Sequence, residues 1–330
     1  MGGTNTKIGI VDDRGRPVAF RAISTDVRRG PQEGTDRIGQ ALVELVGAVG
    51  LAAAAVAQVG LATPGTMDIP AGMMLEPHNL PGWNDFPVRD CLSRRCGKPV
   101  TYANDASAAA YGEYWRGRGR DFQSLLLITL GTGIGGGIIL DGSSLDGQHC
   151  HGAECGHVII DYHENARRCA CGQAGHLEAY ASAKAVVYRT REALEGGRAS
   201  SISRRLQAAD DVLSPRLIAA EAEAGDELAR EIVFDTARYL GIGITSILHT
   251  VDPAAVALGG AMTFGGGSSP LGQAFLERVR QEIRARAFPV LAEQTLVDFA
   301  TLGSAAGYIG AAGLARADHL RNGGRNSSDA

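Results

Sequence analysis

The chain has 330 residues, 45% hydrophobic and 21% charged, with 45 Gly and a formal net charge of −4. Such a length exceeds what one hydrophobic core usually serves and predicts two domains, while the mild acidity gives no electrostatic case for a nucleic-acid or membrane-surface partner. With no apolar run of about 18 residues and no basic segment leading into an apolar one, neither a membrane span nor a secretory signal is readable, and the expected location is the cytoplasm.

Lys7–Asp12 and Pro17–Ser24 read as two strands joined by Asp12-Asp13-Arg14-Gly15, a hairpin turn signal. Residues 34–50 carry Ile38, Leu42, Leu45, Val46 and Val49 at helical spacing, ending at Gly50. Val56–Ala62 predicts a buried strand running into Thr63-Pro64-Gly65. A helix follows at 87–96, a strand at 99–103, and a helix from Asn104 to Trp115. Gly117–Asp121 lacks apolar periodicity and reads as a linker. Ser124–Leu130 is then a continuous apolar strand, followed by a Gly-rich turn and a second strand, Ile134–Leu140. Helices are expected at 178–194, 214–223, 225–250 and Leu271–Arg286, with strands at Ala254–Leu258 and Val297–Ala300 and a small-residue helix at 304–316. Residues 318–330 are polar and aperiodic, which predicts disorder.

The theme of a hairpin with a Gly- and Thr-rich turn, then alternating helix and strand, occurs twice. Gly2-Gly3-Thr4-Asn5-Thr6-Lys7 precedes one strand, and Gly131-Thr132-Gly133-Ile134-Gly135-Gly136-Gly137 lies between two others. Glycines let backbone N–H groups cup an anion, and Thr and Lys add donors to phosphate oxygens. Neither stretch is a Walker A loop or a Rossmann turn, since a strand rather than a helix follows each. One such turn alone is a tight hairpin; two at corresponding points favour a phosphate clamp. Gly259-Gly260, after a short strand, would let a flat adenosine approach the backbone.

Two further groups carry chemistry. Asn104 and Asp105 stand where a strand gives way to an Ala-rich helix. Asn or Asp there caps the helix, and a carboxylate there is also placed to deprotonate an attacking hydroxyl; both roles fit if Asn104 caps and Asp105 reaches the substrate. Downstream, Glu154 and His157 stand three apart, followed by Cys169, Cys171 and His176. Four of the six cysteines lie between 150 and 171, which is no disulfide framework for a chain of this size. Thiolates and imidazoles are the donors of a tetrahedral zinc site, and His157, Cys169, Cys171 and His176 supply four. The alternative is reduced cysteines beside unrelated histidines.

In order along the chain, Gly-Gly-Thr-Asn-Thr-Lys-Ile-Gly at 2–9, Thr-Pro-Gly at 63–65, Asn79-Leu80-Pro81-Gly82-Trp83, Asn104-Asp105-Ala106, the 131–137 glycines, Glu154-x-Gly156-His157 and Cys169-x-Cys171-Gly172-x-x-Gly175-x-Leu177-Glu178 resemble the ROK family of sugar kinases, and most closely its bacterial glucokinases. The resemblance reaches to about residue 316. It implies an α/β, actin-like ATPase (ribonuclease H-like) fold with two α/β domains around a central cleft. Residues 1–116 would form the first domain and 117–303 the larger second one with the zinc loop, helix 304–316 packing back on the first. It implies ATP-dependent phosphorylation of a hexose, commonly at C6, with Asp105 as base. Asn104, Glu154, His157 and Glu178 would hold other hydroxyls, with Gly65 and Asn79 lining the pocket. Gly2, Gly3, Thr4, Lys7, Gly131, Thr132, Gly133 and Gly135 would hold ATP phosphates, and Gly259 and Gly260 would border the adenosine. Mg²⁺ would come with ATP, Zn²⁺ would be structural, and His157 would serve both zinc and sugar. A homodimer is the assembly the family suggests.

Two departures stand out. The family's last zinc ligand is usually Cys; here it is His176, which predicts a Cys₂His₂ site. The family's first loop reads Asp-x-Gly-Gly-Thr after a full strand, whereas this chain starts Met1-Gly2-Gly3-Thr4. The expectation is that about ten upstream residues, an interior strand and its Asp, are missing through a misplaced start; Asp12 and Asp13 are poor substitutes. Glucose leads as substrate, with N-acetylmannosamine, N-acetylglucosamine or fructose as alternatives, and a non-catalytic sugar-binding regulator as the alternative class.

Overall fold

The computed structural model describes residues 1–77, 80–208 and 211–323. The chain divides into two compact units, Met1–Gln123 with Gly137–Ala153 and Leu302 onward, and Ser124–Gly136 with Glu154–Thr301. The stretch 137–153, expected in the second domain, therefore belongs with the first. Gly137 explains why: it lies against Ala106 and Ala110 of the Asp105–Arg116 helix, a contact no local pattern encodes.

In the first unit an antiparallel hairpin pairs Asn5–Val11 with Pro17–Ser24. Asp12 closes its turn, Oδ1 accepting from Arg14 N at 3.0 Å and Arg16 N at 2.8 Å. A separate parallel pair joins Val59–Thr63 to Val100–Asn104, and a small hairpin, Thr66–Asp68 with Met73–Glu76, follows the first of these strands. The helices Gly30–Ala48 and Val88–Cys96 cover a core of Ile8, Ile38, Leu45, Leu61, Met74, Leu80, Trp83, Leu92 and Tyr102. Each large buried side chain there contributes roughly 1.5–3 kcal/mol.

Helix Ala306–Arg321 packs on helix Asp105–Arg116 through small residues, so closely that a Cβ on Gly310 would collide with the Ala108 carbonyl. This helix outruns the expected end at 316. Asp318 Oδ2 accepts from Gln58 Nε2 at 2.8 Å and Thr101 Oγ1 at 2.9 Å, so the polar residues expected to begin a disordered tail are helical through Arg321. Residues 324–330 of that tail lie outside the described residues.

The second unit is built on parallel strands, Ala255–Gly260 between Ser124–Leu130 and Leu296–Phe299. Strand Ile134–Leu140, next to Ser124–Leu130 in the sheet order, begins in this unit and from Gly137 belongs to the first. Strand 124–130 is apolar on both faces, as a strand covered on both sides must be, and Leu125, Leu126, Leu127 and Ile128 are all buried. Helices Glu227–Val251, Pro270–Arg284, Pro215–Glu223 and Ala183–Glu195 complete the unit. The helix expected over 178–194 is interrupted at Ser182, whose hydroxyl accepts from Ala185 N and starts a new helix. Short helices at Ser201–Ala208 and Pro289–Gln294 add to the expected elements. Among the described residues no helix is long and apolar enough to cross a membrane.

Candidate active site and metal centre

In the first unit, strand Val100–Asn104 ends directly in helix Asp105–Arg116. Asn104 is extended, and its Oδ1 accepts from Ala106 N at 2.8 Å and Ser107 N at 3.3 Å. Two otherwise unpaired N–H groups are satisfied, and Asp105 is fixed as the first helical residue. Its side chain is open to solvent while the surrounding protein crowds it. Burial pushes the carboxyl above its ordinary range, against the downward pull of the Met1 ammonium and of the Ala106 and Asp105 N–H groups. Among the described residues Asp105 forms no ion pair.

The first glycine loop belongs to the same unit. Gly2 N donates to Asn5 O at 3.0 Å, the Gly2 carbonyl accepts from Thr25 Oγ1 at 2.5 Å, and Thr25 N donates to Thr4 O at 2.9 Å. The Met1 ammonium donates to Ala62 O at 2.6 Å. Lys7, expected on phosphate, gives its Nζ to the Ser304 carbonyl at 3.0 Å. Gly65 turns the chain out of strand 59–63 at φ +91°. Gly3 precedes the hairpin, and Asn79 lies outside the described residues.

In the second unit, the turn between strands 124–130 and 134–140 holds Gly131, Thr132 and Gly133, with Gly135 just inside the next strand. Gly131 N donates to Gly133 O at 3.0 Å. Among the described residues the N–H groups of Thr132 and Gly133 meet no internal acceptor. Gly259 and Gly260 end strand 255–260 beside this turn, and Met262 N donates to Leu130 O at 3.0 Å. Glu178 joins the group in a way the sequence did not signal. Its Oε2 accepts from Ile134 N at 2.8 Å, and a Cβ on Gly133 would collide with that same oxygen.

Four donors converge a short distance away. The ligand atoms of His157, Cys169, Cys171 and His176 all lie within 4.8 Å of one another. His157 Nδ1 is 3.1 Å from His176 Nδ1 and 3.8 Å from Cys169 Sγ, and Cys171 Sγ is 3.2 Å from His176 Nδ1. A tetrahedral zinc ion with ordinary Zn–N and Zn–S bonds needs donors about 3.3–3.8 Å apart. The three contacts lie close to that range, and the widest pair, within 4.8 Å, stands beyond it. The electrostatics agree. Burial pushes the Cys169 thiol up to about 11, so its thiolate calls for a cation. Burial, and then His157, lower His176, favouring the neutral imidazole a metal requires. His157 turns its other nitrogen away: Nε2 lies 3.9 Å from Glu154 Oε2.

The sequence model of the ROK family matches residues 1–318. The glucokinase of Halalkalibacterium halodurans is 32% identical over 316 residues, 96% of this chain and 93% of that protein. The N-acetylmannosamine kinase of Salmonella agona is 29% identical over 320 residues, 97% of this chain and 98% of its own. Among solved structures, the ROK hexokinase of Thermus thermophilus superimposes with a TM-score of 0.82 at 30% identity, covering 98% of each chain. The ROK glucokinase of Streptomyces griseus in complex with glucose and AMPPNP gives 0.75 at 30% identity, covering 96% and 97%. The α/β, actin-like ATPase fold expected from the resemblance is the one shared with these structures. With the family pattern matched over almost its full length and a full-length relative above 30% identity, the chain belongs to the ROK family.

Proposed function

We propose that this chain is an ATP-dependent hexose kinase that phosphorylates the C6 hydroxyl of glucose, with Asp105 as general base. The observation that carries the reading is the Asn104–Asp105 junction. It offers a solvent-open carboxylate, free of ion pairs among the described residues and fixed at a capped helix start, in a chain similar to a glucokinase bound to glucose and AMPPNP.

In this mechanism the sugar oxygen bonds to the γ-phosphorus as the bond from that phosphorus to the β,γ-bridging oxygen breaks. The hydroxyl proton passes to Asp105, and ADP leaves with the electron pair. A carboxyl pKa raised by burial makes Asp105 a better proton acceptor than an ordinary Asp. Asn104, Glu154, His157 and Glu178 hold the remaining hydroxyls, and Gly65 lines the pocket. The N–H groups of Thr132 and Gly133, without an acceptor among the described residues, receive phosphate oxygens, as does the 2–4 loop, and Gly259-Gly260 borders the adenosine. Mg²⁺ bound to ATP neutralises part of the phosphate charge. His157, Cys169, Cys171 and His176 would hold zinc, which would order the loop and fix the tautomer of His157, leaving Nε2–H to donate to the sugar.

A second reading, the same transfer to N-acetylmannosamine, is favoured by the full-length similarity to the Salmonella kinase. Both are tested by Mg-ATP-dependent ADP release with glucose and N-acetylmannosamine in parallel. Glucose-dependent release is expected. Preference for the amino sugar moves the assignment to the second reading, and release with neither sugar defeats both.

A further inference from the structure

We infer that Glu178, beside the sugar contact proposed for it above, has a second, positioning role: it links the Cys/His cluster to the 131–134 turn, so that metal binding sets the shape of the nucleotide loop. The identification of that loop rests on the kinase reading above; the mechanical link does not.

The link is short and continuous. His176 is a donor of the cluster, and its carbonyl accepts from Ala179 N at 3.0 Å, opening the short helix Glu178–Ala181. Leu177, between them, is fully buried, and its N–H donates to Val158 O at 2.9 Å, one residue beyond His157. From this anchored segment two bonds reach the turn. Glu178 Oε2 takes the Ile134 N–H at 2.8 Å, and Ala183 N donates to Gly131 O at 2.9 Å. The turn is thus gripped at both ends by residues 178–183, with the Thr132 and Gly133 N–H groups held between the grips.

The other carboxylate oxygen points back to the cluster, with Cys169 Sγ 3.7 Å from Glu178 Oε1. The His157 side of the cluster meets the same strand, since Gly156 lies against the Ile134 carbonyl. One side chain therefore lies beside a metal donor with one oxygen, where the Cys169 S–H reaches it only while that thiol is protonated, and holds the loop backbone with the other. In the metal-bound form the link runs through the His176–Glu178 backbone. A charge-assisted bond to a backbone N–H is among the stronger single ties a side chain makes. Losing the metal releases Cys169 and His176 together, and Glu178 sits between them and the turn.

The test uses amide hydrogen exchange at Ile134, read in zinc-loaded and chelated protein for wild type, Glu178→Ala and Glu178→Gln. Because that readout needs no turnover, it is independent of the kinase reading. We expect exchange at Ile134 to speed up by about tenfold in Glu178→Ala, and by a similar factor on chelating the wild type. Glu178→Gln keeps an acceptor oxygen and should stay near wild type. Chelation should add little in Glu178→Ala, because the link is already cut. Restoring zinc to the chelated wild type should restore protection. The affinity for AMPPNP without sugar should follow the same pattern.

Ile134 protection that ignores chelation, or that falls by the same further factor when Glu178→Ala is chelated, overturns the coupling. If protection behaves as expected but zinc-loaded wild type binds no AMPPNP, the link stands and the kinase reading falls.

Discussion

His157 and His176 bring their Nδ1 atoms to 3.1 Å, with the two rings inclined at 70°. Two imidazole nitrogens facing each other at this distance need a proton or a cation between their lone pairs. With Cys169 and Cys171 in the same cluster, the four side chains offer the donor set of a cation site.

The prediction for that site separates His176 from the Cys usual in the family. His176→Ala should drop bound zinc, measured by elemental analysis after dialysis, from about one per chain to a small fraction of that. His176→Cys should keep it. Equal zinc in wild type and His176→Ala would remove His176 from the ligand set.

Asp105→Asn should lower kcat by about 10²–10⁴-fold while leaving glucose affinity, measured by calorimetry, within a few-fold of wild type. Because burial raises the Asp105 carboxyl, the acid limb of the wild-type kcat/KM profile should lie above the ordinary Asp value of about 3.9, activity rising as the base deprotonates. The residual rate of the variant should lack this limb. A wild-type limb that persists unchanged in Asp105→Asn belongs to another group.

The same shift has a consequence for stability, with its sign fixed by linkage. A carboxyl whose folded pKa is raised contributes stability below its unfolded pKa and loses it as pH rises through the folded value. The ionised Asp105 is therefore a small burden at neutral pH, small because its side chain is open to solvent. Asp105→Asn should melt about 1–2 °C higher than wild type near pH 7. The difference should close as pH falls below about 4. A variant that melts lower at pH 7 would show that Asp105 is stabilised rather than strained by its surroundings.

Residues whose role is local were legible in the sequence. Ser124–Leu130 declares itself by an unbroken apolar run, and the cluster by donor types and spacing. What escaped depends on partners far along the chain. Asp318 reads as a tail residue until Gln58 and Thr101 donate to it, and Gly137 reads as second-domain until it meets Ala106 and Ala110. Glu178 was legible as a site residue from the resemblance, but its bond to Ile134, 44 positions away, was not. Ser182 is an intermediate case: its capping chemistry is written in the sequence, yet the helical spacing on either side masks the break.

Asn104 allows the capping role to be weighed against sugar binding, because its two ends do different work. Oδ1 is committed to Ala106 N and Ser107 N, so only the amide Nδ2 is left to meet a hydroxyl. Asn104→Ala should cost about 1 kcal/mol in denaturant unfolding, the usual cost of a lost N-cap, and should lower kcat by loosening the turn that carries Asp105. Asn104→Asp keeps the acceptor and removes the donor. It should recover the stability while sugar affinity stays reduced. If Asn104→Asp instead restores sugar affinity along with stability, Asn104 acts on the sugar only through the helix start it caps.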